Sequence, residues 1–342
     1  MASGDEHQEW SNMRKVSAQI FNRKNFNGMM QDVFIEKAQV LRRFLERKFV
    51  PQDEHPGSQS QHLSPYAVDL QSCFFNFTFD SIMRIFFGED SNTAEGQRNK
   101  YGQAFDEANV AARMHGADSI APFLIFTTFL PWPFGGQHGG LARAIYDFLS
   151  PRYRHLKKCT KVLDTEADRL VRKCLEDPNF AKRKDLLALF LQAKFSSEFV
   201  KQMVLHLIVA GRDTTACLLS WMFYELTKNP EVQVRLREEI MDKLPPGSPM
   251  DWKSLSPNAM PYLHGVVYEA LRLWPPVPFD MKMAFEDDVL PGGWKVPKYA
   301  NVAFIPYNMG RNPDKYPEPL LFRPERWIPF QPPPHHEFPV FQ

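Results

Sequence analysis

The 342 residues are 44% hydrophobic and 24% charged, the composition of a globular chain with a large core rather than a disordered one. Lys plus Arg number 41 against 40 Asp plus Glu, so the net charge of +1 excludes a global pull towards nucleic acid or anionic membrane. Cys73, Cys159, Cys174 and Cys217 are scattered without paired spacing or nearby His clusters, which argues against a disulfide framework or zinc site and fits a reducing, cytosol-facing compartment.

Residues 7 to 240 are predicted mostly helical, because apolar residues recur at three and four rather than two. Trp10 and Arg14 stand four apart on an early helix, on one face. Gln31 to Phe49 is predicted as an amphipathic surface helix, with Val33, Phe34, Ala38, Leu41, Phe44 and Leu45 on one stripe and Arg and Lys on the other face. Gln52 to Ser64 is a loop, Val68 to Phe87 a Phe-rich apolar helix, and two more helices are expected near 100 to 113 and 152 to 177. Between those two, Ile120 to Phe134 is apolar but too interrupted to cross a bilayer, and reads either as a buried loop or as an apolar lip at a membrane or greasy entrance. No stretch of 18 uninterrupted apolar residues exists and Met1 to Glu6 lacks a basic or apolar region, so no signal or anchor is expected.

Ser196 or Ser197 caps a segment that runs without a breaker to Asn229, a central helix of about 32 residues and roughly 48 Å. Its flanks, Phe199 to Val209 and Leu218 to Leu226, are apolar on most sides, as in a core helix. Gly211 in its middle costs about 1 kcal/mol in helix propensity relative to alanine. Ala210, Asp213, Thr214 and Cys217 share one face, and a Thr bonded to the carbonyl four residues back loosens the backbone into a groove. The plainer alternative is a harmless kink with Asp213 bonded to a neighbour.

A further helix is predicted from near Pro261 to Trp274. Glu269 and Arg272 lie three apart on it among Val266, Val267, Leu271 and Leu273, which implies a buried pair needing a third partner, and Arg326 is the candidate. The same spacing at Glu95/Arg98 and Glu166/Arg169 reads as solvated pairs. Val289-Leu290, Pro291-Gly292-Gly293 and Trp294-Lys295-Val296 read as a hairpin, and Asn301 to Ile305 as another strand.

Ala210-Gly211-Arg212-Asp213-Thr214-Thr215 resembles the central-helix signature of the cytochrome P450 family. The Glu-x-x-Arg pair, the hairpin and Pro324-Glu325-Arg326-Trp327 follow in that family's order. The resemblance implies a mainly α cytochrome P450 fold, a helical body with a long central helix and a small β region, with residues 1–342 forming a single partial domain incomplete at both ends. It also implies that dioxygen sits over haem iron at the central helix, with Thr214 donating a hydrogen bond to it, Asp213 relaying protons, and Ala210 and Gly211 lining the cofactor. Splitting the O–O bond needs two protons, so an acid beside an alcohol is chemically sensible. By the same resemblance Trp10 and Arg14 hold a haem propionate, and Lys282 stands where many members carry a propionate-binding Arg. Glu269, Arg272 and Arg326 then form a buried structural network rather than catalytic groups.

Phe338-Pro339-Val340-Phe341-Gln342 resembles the entry to the family's haem-binding loop, so the iron-ligating cysteine is expected beyond Gln342 and no metal ligand within the chain. The sequence is expected to be a fragment, lacking also the early part of a typical member and its membrane anchor. For the parent enzyme the resemblance implies haem (iron protoporphyrin), O2, and electrons from NADPH through NADPH-cytochrome reductase, at the cytosolic face of the endoplasmic reticulum membrane, with no nucleic acid as partner. Arg14, Lys15, Arg23, Lys24, Arg42, Arg43, Arg47 and Lys48 could offer the reductase a basic surface, or be solvated helix faces. Asp80-Ser81-Ile82, Asp280-Met281-Lys282 and Asp287-Asp288-Val289-Leu290-Pro291-Gly292 resemble members that hydroxylate fatty acids at the chain end. The alternatives are a catalytically dead fragment that binds no haem, and a monooxygenase of this fold acting on sterols or xenobiotics.

Overall fold

A computed structural model describes residues 14–16, 18, 26–49, 67–95, 99–116 and 151–340. In chain order the helices that concern the site are α1 (Gln31–Phe49), α2 (Leu70–Phe87), α3 (Lys100–Gly116), α4 (Pro151–Glu176), α5 (Leu186–Gln192), α6 (Ser197–Lys228), α7 (Pro230–Lys243), α8 (Pro261–Leu273) and α9 (Pro306–Met309). Four short strands, β1 (Asp280–Met283), β2 (Asp288–Leu290), β3 (Trp294–Val296) and β4 (Asn301–Phe304), lie between α8 and α9. Two compact units result, Met1–Phe21 with Met83–Ile208, and Asn22–Ile82 with Val209–Gln342.

In the first unit α3 and α4 pack along their lengths. Tyr101, Ala104, Phe105, Ala108 and Ala111 on α3, and Cys159, Leu163, Ala167, Leu170, Val171 and Cys174 on α4, are buried at three- and four-residue spacing. Asp185 starts α5 by accepting the Ala188 amide at 3.1 Å, and the next residues, Leu186, Leu187, Ala188 and Phe190, are buried. The expected Glu166/Arg169 pair forms, with Arg169 Nη2 2.6 Å from Glu166 and 3.1 Å from Glu89. Arg98 and the apolar stretch Ile120 to Phe134 lie outside the described residues.

In the second unit, α1 has the expected bounds but a shifted buried stripe: Val33, Lys37 and Val40 are buried, while Phe34 and Ala38 are exposed. Lys37 belongs to this stripe because its four-carbon stem can lie on apolar surface, and its ammonium is 3.7 Å from Glu36. Met222, Leu226, Val232, Leu236, Tyr262, Val266, Ala270, Leu273 and Phe322 form one core cluster, and Leu271, Tyr316, Trp327 and Phe338 a second. Each large apolar side chain so buried stabilises the fold by about 1.5–3 kcal/mol.

Helix α8 begins with Pro261 at its first position after Met260, a residue with no capping side chain. Its first amides are instead taken by a carboxylate of α7: Glu239 Oε1 accepts from Tyr262 N at 2.8 Å and Oε2 from Leu263 N at 2.7 Å. Gly265 lies where the chain passes closely, since a Cβ there would meet the Pro324 carbonyl oxygen at 2.8 Å.

β2 and β3 form the expected antiparallel hairpin, Leu290 facing Trp294 across Pro291-Gly292-Gly293, with both glycines at positive φ (94° and 84°). β4 pairs antiparallel with β1, Asp280 facing Phe304, and β1 is a strand that the sequence pattern did not mark.

Candidate active site

Helix α6 is bounded as expected, with Ser196 Oγ accepting the Phe199 amide at 3.2 Å. The helix is α-helical without interruption through Ala210 to Thr215. One other expectation for it changes. It is not buried on most sides: Val200, Val204, Ile208, Arg212 and Ala216 form a buried stripe, while Val209, Phe223 and Tyr224 are exposed. By length and composition alone it is, among the described residues, the one helix apolar enough to cross a membrane.

The stripe has a charged member. Arg212 is 3% exposed, its guanidinium 4.8 Å from the ring centroid of Phe75 and 5.7 Å from that of Phe79 on α2. Its Nη1 lies 3.3 Å from Asp213 Oδ1. Sequence reading passed over this position, although Val200, Val204 and Ile208 already pointed to it at steps of four.

The opposite side of the helix is open. Ala210 is exposed, and Gly211, Asp213, Thr214 and Cys217 are half-buried. Thr214 Oγ1 donates to the Ala210 carbonyl at 2.6 Å, the back-bond expected of a hydroxyl on a helix. Asp213, whose carboxylate lies beside Arg212, and Thr214 are thus neighbours that both remain partly exposed. Cys217, one turn on, keeps its proton: burial lifts its thiol above the usual value, and the nearby Asp213 carboxylate adds to the rise.

Glu269 and Arg272, both fully buried, face each other bidentately, Arg272 Nη2 to Oε1 at 2.7 Å and Nε to Oε2 at 2.8 Å. Arg326 Nε reaches Glu269 Oε1 at 3.0 Å. Other donors and acceptors complete the network. Arg323 N and Trp327 Nε1 donate to Glu269 at 2.9 and 3.0 Å. Arg272 donates to the carbonyls of Gly310, Pro319 and Leu321, and Arg326 to those of Pro317 and Glu318. A buried pair holds when each proton and lone pair is so matched. Gly310 has no room for a side chain, because a Cβ there would collide with the Arg272 carbonyl.

Lys282 is an exposed residue of β1 whose ammonium lies 3.0 Å from Asp280. Asp280 Oδ2 also keeps a carboxyl pKa below the usual range, chiefly through that Lys282 bond. Arg14 is exposed in the first unit, while Trp10, its expected companion, lies outside the described residues. Arg42, Arg43, Arg47 and Lys48 are exposed on α1, with Arg42 bonded to Glu46 at 2.8 Å, and Lys15 is exposed; Arg23 and Lys24 lie outside the described residues. Asp80, in the stretch likened to fatty-acid hydroxylases, is fully buried, and Ser81 is back-bonded to Phe77 at 2.7 Å.

Comparison with known proteins agrees with this geometry in its broad assignment. The family model described as Cytochrome P450 matches residues 2–338. Cytochrome P450 94A1 of Vicia sativa is 30% identical over 327 residues, covering 93% of this chain and 57% of its own length. Cytochrome P450 704C1 of Pinus taeda is 28% identical over 364 residues, 98% of this chain and 65% of its own. Cytochrome P450 monooxygenase pvhE of Talaromyces variabilis is 27% identical over 355 residues, 97% of this chain and 60% of its own. The chain therefore spans somewhat more than half the length of such relatives. With a long helix bearing Asp213 and Thr214 on its open face, a matched Glu269–Arg272–Arg326 network, and a family model covering nearly every residue, the chain belongs to the cytochrome P450 family.

Proposed function

We propose that this chain is part of a haem-dependent monooxygenase that inserts one oxygen atom of O2 into a C–H bond, its activity being terminal hydroxylation of fatty acids. The observation that carries the reading is the adjacency of Asp213 and Thr214, both partly exposed on α6, on a helix whose Arg212 side is buried.

The residues present fit one side of haem. Small residues, Ala210 and Gly211, stand beside an acid and a hydroxyl, and Lys282 in the same unit is a cation of the kind that holds a propionate. They do not fit the other side. Cys73, Cys159 and Cys174 are buried in helices with raised thiol pKa values, that of Cys174 pushed up to about 11, and Cys217 shares the face of Thr214. None of these is a preformed thiolate for the iron. When bound, haem supplies the iron at which O2 is reduced.

The chain's own residues would handle the protons. Thr214 Oγ1 holds its proton towards the Ala210 carbonyl, and rotation about the Cβ–Oγ1 bond can redirect that proton. Asp213, partly solvent-exposed and held by Arg212, can pass protons from water to that hydroxyl. Arg212 acts as a positioning residue, and the Glu269–Arg272–Arg326 network is structural. As proposals for the whole protein, NADPH-cytochrome reductase supplies electrons and docks on the basic face of α1, at the cytosolic side of the endoplasmic reticulum membrane, and residues 1–342 count as one partial family domain.

The test is incubation of the protein, extended through the haem-binding loop, with reductase, NADPH and radiolabelled long-chain fatty acids. Terminally hydroxylated acid is expected, and unreacted acid from an enzyme with a normal carbon monoxide difference spectrum removes the substrate assignment. A second reading, a family fragment without haem, is favoured by the four unsuitable cysteines. It predicts that residues 1–342 alone show no thiolate-ligated haem in that spectrum.

A further inference from the structure

The α3–α4 pair of the first unit places three side chains of metal-ligating type together. His155 and Cys159 lie one turn apart on the same face of α4, and Glu107 faces them from α3. Cys159 Sγ is 3.7 Å from Glu107 Oε2 and 3.7 Å from His155 Nε2, and those two atoms are 3.2 Å from each other.

These separations are those of a coordination shell. Zinc bonds of about 2.3 Å to sulfur, 2.05 Å to imidazole nitrogen and 2.1 Å to carboxylate oxygen, set at the tetrahedral angle, put the ligand atoms about 3.4 to 3.6 Å apart. All three observed edges lie within a few tenths of an ångström of that triangle.

We propose that Glu107, His155 and Cys159 form a binding site for a borderline-soft divalent cation of the zinc class, with the fourth position open to water. Ligand type selects the ion: one thiolate, one imidazole and one carboxylate suit Zn2+ or Co2+, whereas Mg2+ and Ca2+ take oxygen shells. Cys159 is buried while the side chains of His155 and Glu107 are 51% and 56% exposed, so the sulfur forms the floor and the entry path is from solvent. On binding, the Sγ–H bond breaks, its proton passes to water and the sulfur lone pair bonds the ion; no oxidation occurs. The ion joins α3 to α4 and clamps the first unit. Sequence spacing alone does not mark this cluster, because Glu107 lies 52 positions from Cys159.

The test is titration of the full chain, stripped with chelator, with Co2+. One equivalent is expected to produce a thiolate-to-cobalt charge-transfer band in the near ultraviolet and visible d–d bands of tetrahedral intensity, both erased by Zn2+. Cys159→Ser should lose the charge-transfer band, while Cys174→Ser keeps it. Glu107→Gln and His155→Asn should each weaken binding by at least about tenfold. The site is overturned if no such band appears, or if it survives in Cys159→Ser. Glu107→Gln alters an exposed side chain and leaves the fold intact, so unchanged affinity in that variant also overturns it.

Discussion

The indole of Trp221 on α6 lies flat on that of Trp274 at the end of α8, ring centroids 4.0 Å apart and planes within 6°. Trp274 Nε1 also donates to Glu225 Oε1 at 2.7 Å, so the stack is locked in register. Truncating either ring to alanine is expected to cost about 3 kcal/mol, the low end for a tryptophan because both are only partly buried. In a double-mutant cycle by urea denaturation, the stack itself should appear as a coupling of about 0.5–1.5 kcal/mol. Strict additivity would show that the rings stabilise the unit independently.

Glu269 holds two guanidiniums, so removing its charge leaves Arg272 and Arg326 facing each other without compensation. Glu269→Gln is expected to cost about 3–5 kcal/mol in chemical denaturation. Gly310→Ala, which pushes a methyl group against the Arg272 carbonyl, should destabilise by the same route. A Glu269→Gln protein as stable as the parent would mean that the network contributes no net stability.

Thr214→Val separates fold from chemistry. The hydroxyl makes one bond to its own helix, so thermal stability should change by no more than about 1 kcal/mol. In the haem-loaded enzyme the loss of a proton donor should lower product formation about a hundredfold. Retained turnover would remove Thr214 from the proton path, and Thr214→Ser should restore most of it if the hydroxyl is what matters.

Acid sensitivity of the first unit is expected to centre on Glu89. Burial by itself would raise this carboxyl, but hydrogen bonds from Lys173 and Arg169 more than offset that and hold it below the usual range. A depressed carboxyl contributes stability that is complete above its unfolded pKa of about 4.3 and is lost as the pH falls through its native value. Glu89→Gln should therefore be less stable near neutrality and show a shallower loss on acidification, read by urea midpoints across that range. Parallel curves for the two proteins would assign the acid loss to other carboxylates.

Where local punctuation exists, the fold is legible in the sequence. Ser196 and the Pro230 that follows Asn229 bracket α6, Pro261 and Pro275 bracket α8, and Pro291-Gly292-Gly293 makes the hairpin. Phase within a helix was less legible, because Lys37 and Arg212 have stems long enough to occupy buried stripes that a polar label assigns to solvent. β1 was missed because Asp280 to Met283 is a strand only by virtue of Asn301 to Phe304 beside it. At the site, apolar neighbours and the following prolines marked Glu269 and Arg272 as buried, yet the carbonyls of Gly310, Pro319 and Leu321 leave no trace in residue types. Glu107 was invisible for a similar reason: it lies 52 positions from the cysteine it meets.

The carboxylate of Glu239 that seats the first turn of α8 has a consequence for how this region assembles. A helix that carries its own cap can form and wait, but α8 borrows its beginning from α7 and has nothing local to replace it. Ordering of the two helices is then one cooperative event, and each local opening that lifts α7 away also releases the amides of Tyr262 and Leu263. Hydrogen exchange at those two amides becomes a reporter on the docking of a helix to which neither belongs.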